Sequence, residues 1–452
     1  MWAAIAAVAT VAAMAVVEAP AARAAPEAGA APAKRIGQPR YEAPERPLPA
    51  SPAVASAISG FQGSKLDKAL ELQYQLGGDV GLRDAPWIGT HNSYNSVAEM
   101  GQTISTSDAN QQLSINDQLD LDIRSIELDL HWFQSPSSGQ FEPVVCHAFP
   151  NHFPCSTEKS LGPVLDEVNA WLRAPANSDQ VLFVFLEDHL DNHSGYDTAA
   201  GILQQKLGDI LYAPTAMGPG CQLLPLKLTR DQMLKAGKRV ILVGNTPCGI
   251  GSAWPAAVFN WDAHVETQPG NFSDYPKCGT DFTRAQYNST QVRYYEDGRP
   301  SQIGGPRITP DVAGGMARCG VDLLGLDQLA ASDSRLSALV WSWAGGQPKA
   351  GKCAVQGVKK SKLRTRWKTL GCARHRRPAC RKGKRWLLGT DEVAQRKGRG
   401  ECKSRHAKFA VPRTGFEAQL LRKKQLAAGE RQVWLGYVKR HGDWVALDKR
   451  GP

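Results

Sequence analysis

A TIM-type (β/α)8-like barrel followed by a small basic module is the α/β architecture that this 452-residue sequence predicts. Three observations carry it. Between residues 58 and 347, short apolar strand-like runs alternate with helical patterns, the order expected of a parallel sheet with crossovers. That stretch of about 290 residues suits one closed barrel, which typically takes about 250. The charge is also divided. Residues 1–350 carry 25 Lys+Arg and 36 Asp+Glu, whereas residues 351–452 carry 29 and 7, so an acidic body precedes a strongly basic tail. A composition of 42% hydrophobic and 21% charged residues excludes a wholly disordered, collagenous or coiled-coil chain. The longest uncharged apolar run, Trp2–Val17, has 16 residues, short of the roughly 18 that mark a membrane-spanning helix.

Residues 1–24 read as a signal peptide. The apolar run is followed by the small-residue pattern Ala22-Arg23-Ala24, and cleavage is expected near Ala25. A basic segment ahead of the run is missing, and Glu18 stands at its edge. The expected location is therefore extracellular. Ten cysteines agree with an oxidising destination: six in the body (Cys146, Cys155, Cys221, Cys248, Cys278, Cys319) and four in the tail (Cys353, Cys372, Cys380, Cys402). Pairing within each unit is the simplest arrangement. No Cys-x-x-Cys occurs, which disfavours a zinc ribbon or a thioredoxin-like site. Residues 25–57, rich in Ala and Pro, read as a semi-extended linker.

Within the barrel, 58–347, strands are expected at Trp87–Gly89, Ile123–Leu130, Val144–Cys146, Val181–Leu186, Arg239–Val243, Val321–Leu326 and Leu336–Trp343. Helices are expected at Leu161–Leu172 and Tyr196–Leu211. The run Gly345-Gly346-Gln347-Pro348 marks a break. Residues 348–452 follow, with basic clusters such as Arg374–Arg377 and Arg381–Arg385, four Cys, and Trp367, Trp386, Trp434 and Trp444. That is the composition of a small stapled domain rather than a disordered tail.

The chemistry gathers where strands end. Trp87-Ile88-Gly89-Thr90 runs into His91-Asn92-Ser93-Tyr94, as a barrel strand does at its active-site face. In Arg124-Ser125-Ile126-Glu127-Leu128-Asp129-Leu130, the period of a strand puts Glu127 and Asp129 on one face. Two carboxylates pointing into a barrel call for a positive charge between them, and a hard divalent cation such as calcium takes several oxygen ligands. Val144-Val145-Cys146 delivers His147, and Val181–Leu186 delivers Glu187. Each feature alone has a bland explanation as a structural histidine or a solvated strand end. Four successive strands ending alike do not.

This series, Thr-His-Asn-Ser-Tyr, Glu-x-Asp, Val-x-His and Leu-Glu-Asp-His, resembles the X-region barrel of phosphatidylinositol-specific phospholipase C and its secreted bacterial relatives. The specific motifs cover residues 80–195; the likeness is looser to Trp343 and does not reach the tail. It implies a phosphodiesterase in which His91 and His147 are the catalytic histidines, and Asn92, Glu127, Asp129 and Glu187 the Ca2+ ligands of the metal-dependent branch. Metal-independent relatives place an arginine where this chain has Asp129, which points to the calcium type. By the same resemblance, His147 is the general acid for the leaving alcohol and His91 stabilises the charged phosphorane. Glu127 or Glu187 is then the base. Imidazole suits either proton-transfer role near neutral pH.

Other candidates rank lower. His131, His152, His189 and His193 lie near the site in sequence, but Glu187-Asp188-His189-x-Asp191-x-His193 lacks tetrahedral zinc spacing. Asp327 either lines the mouth or serves structure, and Trp341 and Trp343 read as core or rim packing on a last strand. The basic module suits an anionic membrane surface, with its aromatics entering the interface; nucleic acid is not expected for an exported protein, and the chain is expected to be a monomer. Rival readings are a glycerophosphodiester or sphingomyelin phosphodiesterase on a related barrel, the former disfavoured because His-Arg-Gly is absent at His91, and a non-catalytic surface-binding protein.

Overall fold

The computed structural model describes residues 46–449 apart from 102–108, 135–138, 149–158, 216–221, 245–252, 261–264, 268, 270–271, 279–292, 299–307, 322 and 361. The signal-peptide segment, most of the expected linker, His152, Cys155, Cys221 and Cys248 lie outside these residues. The linker ends earlier than expected. Helix Pro52–Phe61 begins ahead of residue 58, its first turn set by the Ser51 side chain accepting from the Val54 N–H and by proline in the first turn, and it buries Ile58 and Phe61.

The sheet is built from β1 (Trp87–Thr90), β2 (Ser125–Gln134), β3 (Phe141–Val145), β4 (Lys159–Ser160), β5 (Leu182–His189), β6 (Val240–Gly244), β7 (Phe259–Asn260), β8 (Val265–Thr267), β9 (Arg293–Glu296) and β10 (Leu323–Leu326). Eight strands lie parallel in the order β7-β6-β5-β2-β1-β10-β9-β8. Read from β1 in both directions, that is the cyclic chain order of a (β/α)8 barrel. Among the described residues no β7–β8 pairing closes it, so the expected closed barrel is seen as a barrel path with one open seam. Helices Leu161–Arg173 and His193–Leu207 cover the β2, β5 and β6 side, packing Val164, Leu165, Val168 and Leu172, and Ala199, Ala200, Leu203 and Leu207 at helical spacing.

Alternation along the strands sorts the interior. Phe183, Phe185, Ile241 and Val243 join Trp87, Phe259 and Leu323 in an inner cluster, while Val184, Leu186, Leu128 and Leu324 face the outer layer. At Gly89 the backbones of β10, β1 and β2 come close. A Cβ there would lie 2.6 Å from the Leu324 carbonyl oxygen and 2.8 Å from the Ser125 Cβ, so no larger residue fits.

Two strand expectations need correction. The Val144–Cys146 strand is not a parallel barrel strand. It is β3, the antiparallel return of a hairpin with β2, Leu130 facing Val145, because the few residues after Gln134 are too short for a crossover. Leu336–Trp343 is not a strand either. Asp333 caps a helix, Ser334–Leu339, and Trp343 then bridges to Trp367 in the tail, with Trp367 N–H donating to the Ser342 carbonyl at 2.9 Å.

The tail forms a four-stranded antiparallel sheet, Lys362–Leu370, Cys353–Lys359, Gln432–Arg440 and Asp443–Ala446 in spatial order, crossed by helix Gly415–Ala427. Disulfides Cys353–Cys372 and Cys380–Cys402 staple it, and Cys278–Cys319 ties the barrel, each pairing within its unit as expected; Cys146 is disulfide-bonded too. Most of the tail tryptophans do not reach solvent as expected, and Trp444 is half-buried. Trp386 and Trp434 are buried, and Trp444 lies 4.8 Å from Trp343 between ring centroids. Trp341 and Trp343 pack on Trp367 at 5.4 and 5.8 Å. Buried Arg413 reaches Asp79 ahead of β1 (2.9 and 3.1 Å) and Asp448 in the tail (3.1 Å), so tail and barrel share one core and one ion-pair network at the sheet's N-terminal end.

Asp122, in the left-handed region at φ 66° just before β2, offers a test of this packing away from the mouth. Burial pushes its carboxyl up to about 7, against the pull of Arg124 and with help from Asp67 and Glu71. An unfolded carboxyl sits near ~3.9. The folded state therefore holds the proton more tightly, and stability falls as pH rises from about 4 through 7. Asp122→Asn, which keeps a residue tolerant of positive φ, should raise Tm by about 2–8 °C at pH 8 and by little at pH 4 in thermal denaturation. A lower Tm at pH 8 would contradict the assignment.

Candidate active site

The inner face changes from apolar to ionisable toward the C-terminal ends of the strands. On β2 and β5 the register sets Glu127 beside Phe185, Asp129 beside Glu187 and His131 beside His189. On β1, Gly89 is followed by His91, and on β10, Gly325 by Asp327. The expected residues His91, Asn92, Glu127, Asp129 and Glu187 therefore meet at one mouth. His147 follows β3 directly, half-buried, and its charge acts on Glu187.

His91 is held from several sides. Its Nδ1 lies 3.0 Å from Asp327 Oδ1, its backbone N–H donates to the Leu326 carbonyl at 3.2 Å, and its Nε2 is 3.5 Å from Glu296 Oε1. Asn110 Nδ2 donates to the same Asp327 oxygen at 3.1 Å. Beneath, Asp297 accepts from the Asp327 N–H at 3.0 Å and from Arg335 at 3.0 Å, fixing the strand end that carries Asp327. Burial opposes a charge on His91, but Glu296, the bond to Asp327 and Glu127 together hold its imidazole well above the usual histidine range.

Asn92 has φ 43°, a left-handed backbone that asparagine tolerates, and its N–H donates to Glu127 Oε2 at 3.2 Å. Its amide spans His91 and Asp129. The NH2 group can face the two Asp129 oxygens (2.9 and 3.0 Å) while the oxygen accepts from His91 Nε2 at 3.2 Å. Turned over, the amide oxygen faces that carboxylate, an arrangement favourable only with a cation between them.

Carboxylate oxygens of Glu127, Asp129 and Glu187 can lie within 4.8 Å of one another. At that spacing each like-charged pair costs on the order of 3 kcal/mol at an effective dielectric near 20. Burial pushes Glu127 up to about 8, with Glu296 and Glu187 adding and His91 opposing. Burial, Glu187 and Glu127 carry Asp129 well above its usual range. Glu187 differs: burial would raise it, but the 2.9 Å hydrogen bond from His189 and the charges of His189, His91 and His147 hold it below. An all-oxygen, mutually repelling set, buried at Glu127 and Asp129 and partly open at Glu187, with Asn92 beside it, fits a hard divalent cation of the calcium or magnesium class.

The lower-ranked histidines separate. His189 binds Glu187 and lies 4.8 Å from buried His131 between ring centroids, whereas Asp188 turns outward to accept from Tyr196 Oη at 3.1 Å and exposed His193 opens a helix. These residues do not assemble into a separate metal group among the described residues. Asp327, left open between two roles, is the partner of His91. Glu296 joins the site from β9, where Tyr294-Tyr295-Glu296-Asp297 repeats the signal at Glu187, an aromatic run that ends in acids.

Residues 48–333 match the family described as the Rv2075c PI-PLC-like domain. Over 419 residues the chain is 34% identical to the uncharacterized proteins Rv2075c (strain ATCC 25618 / H37Rv) and MT2135 (strain CDC 1551 / Oshkosh) of Mycobacterium tuberculosis, covering 86% of this chain and 83% of each relative. Similarity also extends to two solved phosphatidylinositol-specific phospholipase C structures. That from Listeria monocytogenes is 14% identical, covering 60% of this chain and 97% of that one at a TM-score of 0.39. That from Staphylococcus aureus is 15% identical, covering 61% and 98% at 0.39.

The crowded carboxylates set a measurable expectation. Calcium should raise Tm, since a ligand bound by the folded state alone stabilises it. Asp129→Asn should raise the Tm of chelated protein and abolish most of the calcium increment in differential scanning fluorimetry. Identical melting with calcium and with chelator would rule out a cation at this mouth.

Proposed function

The chain belongs to the Rv2075c PI-PLC-like domain family, and from that premise we propose that it is an exported, calcium-dependent phosphoric diester hydrolase acting on phosphatidylinositol-type phospholipids. The observation that carries the reading is the convergence of His91, Asn92, Glu127, Asp129 and Glu187 on one mouth, with His147 on β3's end close enough for its charge to act on Glu187. Export is supported by the disulfides.

Asn92, Glu127, Asp129 and Glu187 would hold the cation, which when bound supplies positive charge for the phosphoryl oxygens. The remaining steps fall to side chains. His91, kept in place by Asp327, donates to a phosphoryl oxygen where negative charge develops during in-line displacement. His147 protonates the departing alkoxide, and Glu127 or Glu187 accepts the proton of the attacking hydroxyl. His91→Ala and His147→Ala should each lower kcat/KM on phosphatidylinositol by about 10²–10⁴-fold while circular dichroism shows the fold retained. Near-normal turnover in either variant would sink the assignment, and full activity in chelator would sink the calcium dependence.

The lipid would meet the mouth rim. Phe141, at the tip side of the β2–β3 hairpin, is 58% exposed and lies 6.1 Å from Trp132 between ring centroids. Leu223, bridged to the end of β7, is 48% exposed. The basic module would add long-range attraction to acidic bilayers, each Lys or Arg near the surface contributing about 1 kcal/mol. With the full chain, binding to acidic vesicles should weaken strongly as salt rises, and Phe141→Ala should lower turnover on vesicles more than on a soluble short-chain substrate. Salt-insensitive binding would exclude the electrostatic role.

A further inference from the structure

We propose that the junction of barrel and tail is a carbohydrate-binding site, a cavity that takes a sugar unit of a neutral glycan at the end of the barrel opposite the mouth. The inference goes beyond the phosphodiesterase reading and does not depend on it.

Barrel and tail together line a cavity of about 290 Å3, close to the lower end of small-ligand pockets at about 300 Å3. The barrel supplies Tyr74 near the end of helix Lys65–Leu76, Asp79 ahead of β1, Asp179 ahead of β5, and Arg230 and Asp231 at the start of the helix that precedes β6. All of these stand at the N-terminal ends of the strands, whereas the mouth lies at their C-terminal ends. From the tail come Arg413, Tyr437 and Trp444. Neither unit makes the cavity alone.

Two guanidinium groups carry the argument. Arg230 and Arg413 are each only 2% exposed, and both line this cavity. Arg230 lies over the Tyr74 ring, 3.7 Å from its centroid, and its Nη2 donates to the Tyr74 carbonyl; its Nε and Nη1 have no partner among the described residues. Arg413 spends Nε and Nη2 on Asp79 and Asp448 and keeps Nη1 unpaired. Buried donors left bare are costly, so a ligand that brings acceptors is favoured here.

The charges decide which acceptors. Against Arg230, Arg413 and Lys449 the same walls set Asp79, Asp179 and Asp231. Arg413 is already neutralised by its two carboxylates, and Asp179 and Asp231 stand exposed at the rim, where they oppose an anion. A hydroxyl suits both kinds of wall, since it accepts from a guanidinium N–H and donates to a carboxylate. Trp444 supplies an apolar side. Half-buried, it packs on Trp343 and Tyr437 at 4.8 and 5.2 Å between ring centroids and still borders the cavity, where the C–H face of a sugar ring can lie against it. Glycines at 77 and 78 let the two polar groups close in on the helix end. A Cβ at Gly77 would stand 3.0 Å from Arg230 Nη2, and one at Gly78 would collide with Asp231 Oδ1.

The test uses the full-length protein and a panel of neutral oligosaccharides of glucose, galactose, mannose, arabinose and N-acetylglucosamine, with affinities measured by isothermal titration calorimetry. Wild type should bind at least one of them saturably. Trp444→Ala, and separately Asp231→Ala at the exposed rim, should weaken that binding by about tenfold or more, with circular dichroism confirming that each variant is folded. Turnover of a soluble phosphodiester by wild type should be the same with and without saturating sugar. No saturable binding of any sugar in the panel would overturn the inference, as would binding left within about twofold of wild type in both variants. Sugar that competes with the phosphodiester would place the binding at the mouth and overturn it too. Inorganic phosphate or sulfate bound through Arg230, with no sugar bound, would show an anion site instead.

Discussion

The close approach of three backbones at Gly89 is the constraint on which the mouth depends. β10, β1 and β2 come so near there that the space of one methyl group is already taken by Leu324 and Ser125. Two residues further along β1 stands His91, and at matching heights stand Asp327 on β10 and Glu127 on β2. Widening the pinch by the size of a side chain would move these groups apart by more than a hydrogen bond tolerates. The 3.0 Å contact between His91 and Asp327 and the 3.2 Å bond from the Asn92 N–H to Glu127 both cross it. A residue without a side chain thus governs the geometry of the most polar part of the barrel.

What the pinch brings together is electrostatically costly. Five carboxylates, Glu127, Asp129, Glu187, Glu296 and Asp327, gather around the few positive groups the strands supply. The protein meets that cost locally. Asp327 and Glu296 share His91, His189 serves Glu187, and Arg335 holds Asp297 below. Glu127 and Asp129 accept neutral donors, Asn92 and Tyr94 among them, and burial with the nearby carboxylates pushes both upward. An apolar barrel interior of Phe183, Phe185, Ile241 and Val243 beneath them keeps water out and sharpens the imbalance.

The strand-end signals were legible because each is local. A period of two fixes which side chains share a face, and an apolar run that stops at an acid or a histidine marks the end where a barrel opens. His91, Glu127, Asp129 and Glu187 followed from that rule. What was not legible depended on distant partners. β3 reads as one more strand until the shortness of its connection is weighed, which makes it a hairpin. Leu336–Trp343 looks extended by composition, yet Asp333 caps a helix and Trp343 finds its strand partner in Trp367, far along the chain. Glu296 and Asp327 carried the same signal as Glu187, but only the pairing of β9 with β10 and of β10 with β1 shows that both acids reach His91.

Charge misleads in a related way about the tail. Its basic residues set it apart in composition, and its tryptophans suggest a surface that grips a partner. The structure turns those rings inward. Trp343 and Trp341 from the barrel's end, and Trp367, Tyr437 and Trp444 from the tail, pack edge to face or tilted within one cluster, and Arg413 is paired across the same junction with Asp79 and Asp448. A buried arginine committed to carboxylates on both sides cannot leave either one without stranding a charge. The basic module is therefore mounted rigidly on the barrel rather than held on a free tether.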